Sequence, residues 1–418
     1  MSAHPSVRLA IIGAGSRGTG YARRATAEGA QVTAVVEPDP ARLGAFIDTF
    51  GDQVRTFANW EELAAHRPRL ADAAVVSTPD REHAEPAIGL AEAGYHLLLE
   101  KPIAPTEAET VRIVEAVERS GVMLAVCHVM RYSAYTRALK GLLREGAIGQ
   151  LVTVEHLEPI GWWHFAHSYV RGNWGRQADS GPLLLTKSSH DIDWLSYLID
   201  RPLTRVSSFG NLLHFRPENK PSEATDRCVD CPLQNTCAYS ATQIYRSFLG
   251  DETYERWPLA VLTTDVSPAG VDQALRTGPY GLCVFNGQND VVDHQVVNLE
   301  YSGGVTASFT LTAFTELDFR KTRLFGTSGC IEGDGRILQV HDFTTDRKYE
   351  VVPEVTQGAS AADGHGGADD ALVRAFLHAL RTGDASGLLS GPRESLATHQ
   401  IVWLAERSRR EGTVVTPL

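Results

Sequence analysis

An apolar run, Val7–Ile12, ends directly on Gly13-Ala14-Gly15-Ser16-Arg17-Gly18. A strand, this glycine spacing and then an amphipathic stretch, Arg17–Glu28, admit few folds. Gly13 permits a tight turn, Gly15 lets a pyrophosphate approach the backbone, and Gly18 lets helix and strand pack closely. Phosphates then sit on the helix N-terminus, where free N–H groups and the macrodipole favour negative charge. A second strand candidate, Val32–Glu37, ends in an acid. Glu37 is placed to accept hydrogen bonds from ribose hydroxyls and to repel a 2′-phosphate. With Ser16 and Arg17 in the loop, these residues predict a dinucleotide site that favours NAD over NADP, although Arg42 stands nearby.

Further strand-like runs at Ala73–Ser77, His96–Glu100 and Met123–His128 alternate with amphipathic stretches such as Glu82–Ala93 and Glu107–Ser120. That alternation indicates a parallel, doubly wound sheet. Gly29, Gly94 and Gly121 fall just after three helical stretches, where a left-handed cap belongs. The pattern changes beyond Gly146. Leu151–Leu157 reads as a strand and Thr186–Ile199 as a helix. From Val291 to Arg347 the signals run strand, turn, strand, with Gly303-Gly304 marking a hairpin. The expected architecture is α/β: a doubly wound Rossmann domain over 1–128 and an α/β domain over 129–418 on a largely antiparallel open sheet. A cysteine-containing insertion interrupts the second domain at about 214–285. Gln357–Gly367 reads as a mobile Gly/Ala-rich loop, and helices are expected over Ala368–Arg381 and Pro392–Arg409. A chain of 418 residues exceeds one compact core, which agrees with two domains.

The net charge is −12, from 51 acidic and 39 basic side chains, and no basic run offsets it. A nucleic-acid partner is therefore not expected. No apolar stretch is long enough to span a bilayer, and the N-terminus carries no signal-peptide core. A soluble, cytoplasmic protein with no membrane partner is the expectation.

Ser77-Thr78-Pro79-Asp80, His83 and Glu100-Lys101-Pro102 follow the glycine loop, and His190-Asp191-Ile192-Asp193 comes later. With these motifs at these spacings the sequence resembles the Gfo/Idh/MocA oxidoreductase family over nearly its whole length. The resemblance implies a Rossmann domain and an α/β domain whose open sheet packs against ligand and partner subunit, hence a homodimer or homotetramer. It also implies substrates that are sugars, polyols or their derivatives. Physical reasoning agrees on the cofactor side. Thr78 and Pro79 follow a strand at the carboxyl edge where ligands bind in open sheets, with His83 just beyond. Glu100 and Lys101 end the next strand, and Pro102 can place its backbone in a turn, cis as in relatives. A lysine beside a cationic nicotinamide has its proton loosened, which suits proton transfer.

Family dehydrogenases commonly carry Asp-x-x-x-His at the start of the substrate-domain helix. Here the histidine matches His190, but Thr186 stands four residues before it, followed by Lys187. On a helix Lys187, His190, Asp191 and Trp194 share a face, which presents a lysine, an imidazole and a carboxylate to one substrate. Lys101 and His190 are accordingly the expected proton-transfer pair, with Lys187 tuning or replacing one of them. The stretch from Gly161 to Arg176 is unusually aromatic. Rings bind the apolar faces of sugars, while His, Asn and Arg donate hydrogen bonds, so His164, Tyr169, Arg171 and Trp174, with Asp191, are candidate substrate contacts. Arg171 and Arg176 are suited to an anionic substituent. An aromatic core or a subunit-contact loop is the alternative for the same stretch.

Cys228-x-x-Cys231 with Cys237 is a short loop-borne cluster. Cys283, at the far end of the same insertion, is the choice for a fourth ligand, and a structural Zn²⁺ would replace the core such a segment lacks. An iron–sulfur cluster and metal-free thiols remain as alternatives. Cys127 and Cys330 lie in apolar runs and read as core residues. The expected function is NAD-dependent hydride transfer from a carbinol of a sugar, polyol or glycoside. A different enzyme class, NAD-dependent glycoside hydrolysis by transient oxidation, elimination and hydration, stays open, as does a non-enzymatic NAD-bound sensor.

Overall fold

The computed structural model describes residues 6–354 and 365–417. The chain forms two compact units, one of Met1–Arg137, Ile192–Tyr197 and Glu354–Ile401, the other of Ala138–Asp191, Leu198–Pro353 and Val402–Leu418. Residues 357–364 of the expected Gly/Ala-rich loop lie outside the described residues, and His365–Gly367 forms a 3₁₀ turn.

In the first unit six parallel strands form one sheet: β1 (Arg8–Ile12), β2 (Gln31–Val36), β3 (Arg55–Phe57), β4 (Ala73–Val76), β5 (His96–Leu99) and β6 (Leu124–Val126). Their order is β3-β2-β1-β4-β5-β6. The direction of winding reverses between β1 and β4, and a ligand crevice belongs at the carboxyl ends of those two strands. The strands read as apolar runs because both faces are covered. Leu9, Ile11, Val35, Val75 and Leu98 pack on one side, while Ala10, Ile12, Val36, Val76 and Leu99 pack on the other. The first side also receives Leu372, Val373, Phe376 and Leu377 of the helix Ala368–Thr382.

The second unit carries β7 (Leu151–Pro159), β8 (Leu203–Asn211), β9 (His294–Tyr301), β10 (Thr306–Thr312), β11 (Lys321–Gly326), β12 (Gly329–Gly333), β13 (Leu338–Asp342) and β14 (Arg347–Val351). They form one sheet in the order β14-β13-β12-β11-β7-β10-β9-β8. Only β7 and β10 pair in parallel; every other neighbour is antiparallel. The β9–β10 hairpin turns on Gly303 and Gly304 at φ 82° and 81°.

Two expectations need correction. The helix expected over Thr186–Ile199 is two pieces, Leu183–Thr186 and Ser189–Ile199, with Lys187 and Ser188 at the break. The insertion does not lack a core. Ile244, Tyr245, Phe248, Leu259, Val271 and Leu275 pack around Trp163, so aromatic burial supplies what a metal clip was expected to replace. No described helix is long and apolar enough to cross a membrane.

Candidate active site

Gly13 follows β1 at φ 90°, and a Cβ there would meet the Ser77 carbonyl oxygen at 2.9 Å. At Gly18 a Cβ would lie 2.0 Å from the Gly13 oxygen, so helix and strand meet only through a glycine. Gly15 differs: a Cβ would meet nothing within 4 Å. Gly15 caps the helix Ser16–Ala27 without a side-chain bond to its first N–H groups. That open, donor-rich helix start suits a pyrophosphate, so the residues fit a dinucleotide. Glu37 is 5% exposed and accepts from the Ala14 N–H at 2.8 Å and the Asp39 N–H at 3.0 Å. Its carboxylate braces the glycine loop from the strand end where ribose recognition is expected.

The turns after β4 and β5 are tied together. His83 is fully buried, with Nδ1 2.9 Å from the Pro102 oxygen and Nε2 2.9 Å from the Thr78 oxygen. It holds the Thr78-Pro79 turn against the cis Lys101–Pro102 peptide, so its contacts are to the loops. His399 meets the same loop: its Nε2 accepts from the Ile103 N–H at 3.0 Å, while Nδ1 lies 2.8 Å from the Ser395 oxygen. That pattern requires the Nδ1–H tautomer. Burial, reinforced by the neighbouring His128, pushes His399 down to about 3. The ring is a neutral acceptor beneath the lysine loop.

Arg17 and Glu100, expected at the cofactor, bond to one another and to neighbouring protein groups. Arg17 pairs with Glu100 and, at 2.7 Å, with Asp369; Tyr21 donates to Glu100 at 2.9 Å; the Lys101 N–H donates to Glu100 at 2.8 Å. Burial alone would raise both carboxyls, but the Arg17 charge outweighs it and holds each below its ordinary range. Asp369 and His399 had no sequence signal for these roles, since Arg17 and Ile103 lie hundreds of residues away from them.

In the second unit Lys187 stands at the helix break, its Nζ 2.8 Å from Glu158 of β7. Glu158 also meets Arg320 at 2.6 Å, and Arg320 donates to Asp191 at 2.9 Å. His156 closes the chain, with Nε2 3.1 Å from Asp191 and Nδ1 2.7 Å from the Thr322 hydroxyl. Burial would raise the Asp191 carboxyl, but Arg320 and His156 hold it well below its ordinary range. Asp191 is fully buried and engaged by these groups, contrary to its expected role as a substrate contact. His190 lies in the first turn of the helix Ser189–Ile199 and is 4% exposed. Glu158, Arg320 and His156 escaped the sequence reading. The available signal was the period-two run Val154, His156, Glu158, which puts two polar residues beside an apolar one on the buried face of a strand.

The aromatic stretch divides. Arg171 is buried, donating to the Leu282 and Tyr239 oxygens at 2.7 Å each and reaching Cys228 Sγ at 3.6 Å. It fastens the insertion, contrary to the expected hold on a substrate anion. Tyr169 is 4% exposed and lies against Phe165 and Trp174. His164 packs on Trp257, with Nδ1 3.1 Å from the Ile160 oxygen; Trp174 is exposed. Cys228, Cys231, Cys237 and Cys283 line one cavity of about 300 Å³. Four sulfurs suit Zn²⁺ chemically. Even so, among the described residues no group of three or more His, Cys, Asp or Glu side chains is placed to hold a metal ion.

A parallel sheet with a phosphate-accepting glycine loop on β1, and a lysine-bearing loop two strands along its carboxyl edge, defines an NAD-binding oxidoreductase. Family models agree: residues 7–128 match the oxidoreductase family's NAD-binding Rossmann fold, and 140–416 match its C-terminal α/β domain. The chain belongs to the Gfo/Idh/MocA oxidoreductase family. It is 24% identical over 361 residues to YteT of Bacillus subtilis, an oxidoreductase by name, covering 82% of this chain and 81% of that one. It is 32% identical over 203 residues to an inositol 2-dehydrogenase of Streptomyces avermitilis, covering 48% of this chain and 55% of that protein. Over 150 residues it is 29% identical to the 2,7-anhydro-N-acetylneuraminate hydratase of Escherichia coli, covering 36% and 39%. An oxidoreductase structure from Agrobacterium radiobacter, in complex with NAD+, L-tartaric acid and magnesium, shares the fold with a TM-score of 0.71. There the identity is 16%, over 98% of each chain.

Proposed function

We propose that this enzyme oxidises a carbinol of a sugar, polyol or glycoside. The observation that carries the reading is the placement of Lys101 on the loop after β5, at the same sheet edge as the open Gly15 turn. Bound NAD supplies the hydride acceptor. Gly15 and the helix start at Ser16 and Arg17 would receive its phosphates, and Glu37 would receive its ribose. Lys101 and His190 are the proton-transfer candidates, taking the hydroxyl proton as the carbinol carbon loses hydride, with Lys187 tuning one of them. His164, Tyr169 and Trp174 offer ring surface to a sugar.

The second reading, hydrolysis by transient oxidation, elimination and hydration, is favoured by the similarity to a hydratase. Incubation with NAD⁺ and a panel of inositols, aldoses and aryl glycosides separates the two. NADH in proportion to substrate supports the dehydrogenase, whereas aglycone without NADH supports the hydrolase. Lys101→Ala and His190→Ala should each lower turnover by about 100-fold or more. Near-normal turnover in both would remove them from the proton-transfer role.

Two further assignments belong to this reading. The cysteine-lined cavity would hold a structural zinc if the thiolates draw together around it. The exposed Val152 and Phe209 on β7 and β8 suit burial in a homodimer or homotetramer. Native mass spectrometry of freshly purified protein reads both: a dimer or tetramer with one zinc per subunit is expected. A monomer overturns the assembly, and subunits without zinc overturn the metal clip.

A further inference from the structure

Glu158 is 2% exposed on a strand face that also buries Val154 and His156. A carboxylate there is costly unless cations meet it. Two do: Lys187 at 2.8 Å and Arg320 at 2.6 Å. Arg320 is shared with Asp191, so the charges alternate along Lys187, Glu158, Arg320 and Asp191. Apolar side chains of similar volume would serve stability as well as such a row, which points to a purpose in the position of its end member. Of its two ends Asp191 is fully buried, whereas the Lys187 side chain keeps 15% exposure. Lys187 stands in the break between Leu183–Thr186 and Ser189–Ile199, three residues before His190, on a flexible four-carbon stem. Thr186 offers no charge to hold it. The carboxylate comes from β7.

We propose that Glu158 is a positioning residue for the reaction, fixing the Lys187 ammonium beside the turn that carries His190. The proposal rests on the oxidoreductase reading for its kinetic consequence, and the geometry gives it a second consequence that needs no substrate. Glu158→Gln keeps the shape and removes the charge that pins the amine.

In the protein saturated with NAD⁺, acetic anhydride labelling followed by peptide mass spectrometry should show Lys187 modified several-fold faster in Glu158→Gln than in wild type. With whichever substrate of the inositol, aldose and glycoside panel wild type turns over fastest, kcat should fall by about 100-fold while KM moves little. Glu158→Asp keeps the charge on a stem one methylene shorter and should retain about tenfold more activity than Glu158→Gln. Equal labelling, kcat retained in Glu158→Gln, or equal kcat in the Asp and Gln variants overturns the proposal. Wild type inert on the whole panel would instead overturn the oxidoreductase reading, and the labelling result would still decide the role of Glu158.

Discussion

At Gly15 and Gly18 the same residue type serves two different physical ends, and the two can be separated. Gly18→Ala places a Cβ 2.0 Å from the Gly13 oxygen, so the helix must move off β1. A loss of about 1–3 kcal/mol in stability is expected from such overpacking. Gly15→Ala meets nothing within 4 Å and should unfold like wild type. The added methyl would stand where phosphate approaches, so NAD affinity should fall by tenfold or more, about 1.4 kcal/mol. Urea unfolding without cofactor and calorimetric titration with NAD⁺ check the pair; Gly15→Ala binding NAD normally would show that the phosphates do not rest on this turn. The glycine turn and the loop that carries Lys101 were legible because their geometry is local to one turn. The protein partners of Arg17, Glu100, His83 and Arg171 were not, because a charged residue near a motif reads as a ligand contact whichever side chain also meets it. Arg17 finds Asp369, 352 residues on, and no spacing rule reaches that far.

Elements followed a similar division. Strands β1, β2, β4 and β5 were readable to within a residue or two, since burial on both faces leaves an unmistakable apolar run. The helix Glu107–Ser120 was legible at both ends, from the Thr106 cap to Gly121 in the left-handed conformation. Strand β8, Leu203–Asn211, was not. Its burial alternates only weakly, and Ser207, Ser208 and Gly210 dilute the period-two signal. The helix break at Lys187 was missed for the opposite reason. Leu183–Leu185 and Ile192–Ile199 carry apolar residues on either side of the polar run from Thr186 to Asp191, and periodicity does not register that Lys187 and Ser188 leave the helix between them. The aromatic stretch was readable as unusual but not as to purpose. Trp163 is claimed by Phe248, Tyr254 and Trp257, all in the insertion, and such partners are not visible until the chain has folded back.

Across the whole molecule the buried histidines set how stability responds to acid. Burial lowers His128 to about 4 and, with the charge of His128 adding to it, lowers His399 to about 3. In the other unit burial, helped by Arg171, lowers His167 to about 3. Each folded value lies below the ordinary 6.5, so between the two the unfolded chain binds more protons than the native one. Stability is therefore complete above 6.5 and declines as pH falls, each ring adding a slope of up to about 1.4 kcal/mol per pH unit. The decline from the rings levels off near 4 for His128 and near 3 for His399 and His167. Asp193 and Asp369 act further down. Burial raises them, but His128 and Arg131 outweigh it at Asp193, and Arg17 outweighs it at Asp369. Their lowered values mean stability that is present above the ordinary 3.8 and is lost as pH falls below it. Urea midpoints at pH of about 7, 6 and 5 should thus fall at an increasing rate. His399→Gln keeps an acceptor for the Ile103 N–H and removes one titrating ring, so its curve should start near the wild-type value and fall less steeply. An unchanged midpoint from pH 7 to 5 would mean that the buried rings accept protons without unfolding, and that the neutral His399 beneath the Lys101 loop is not what holds that loop in place.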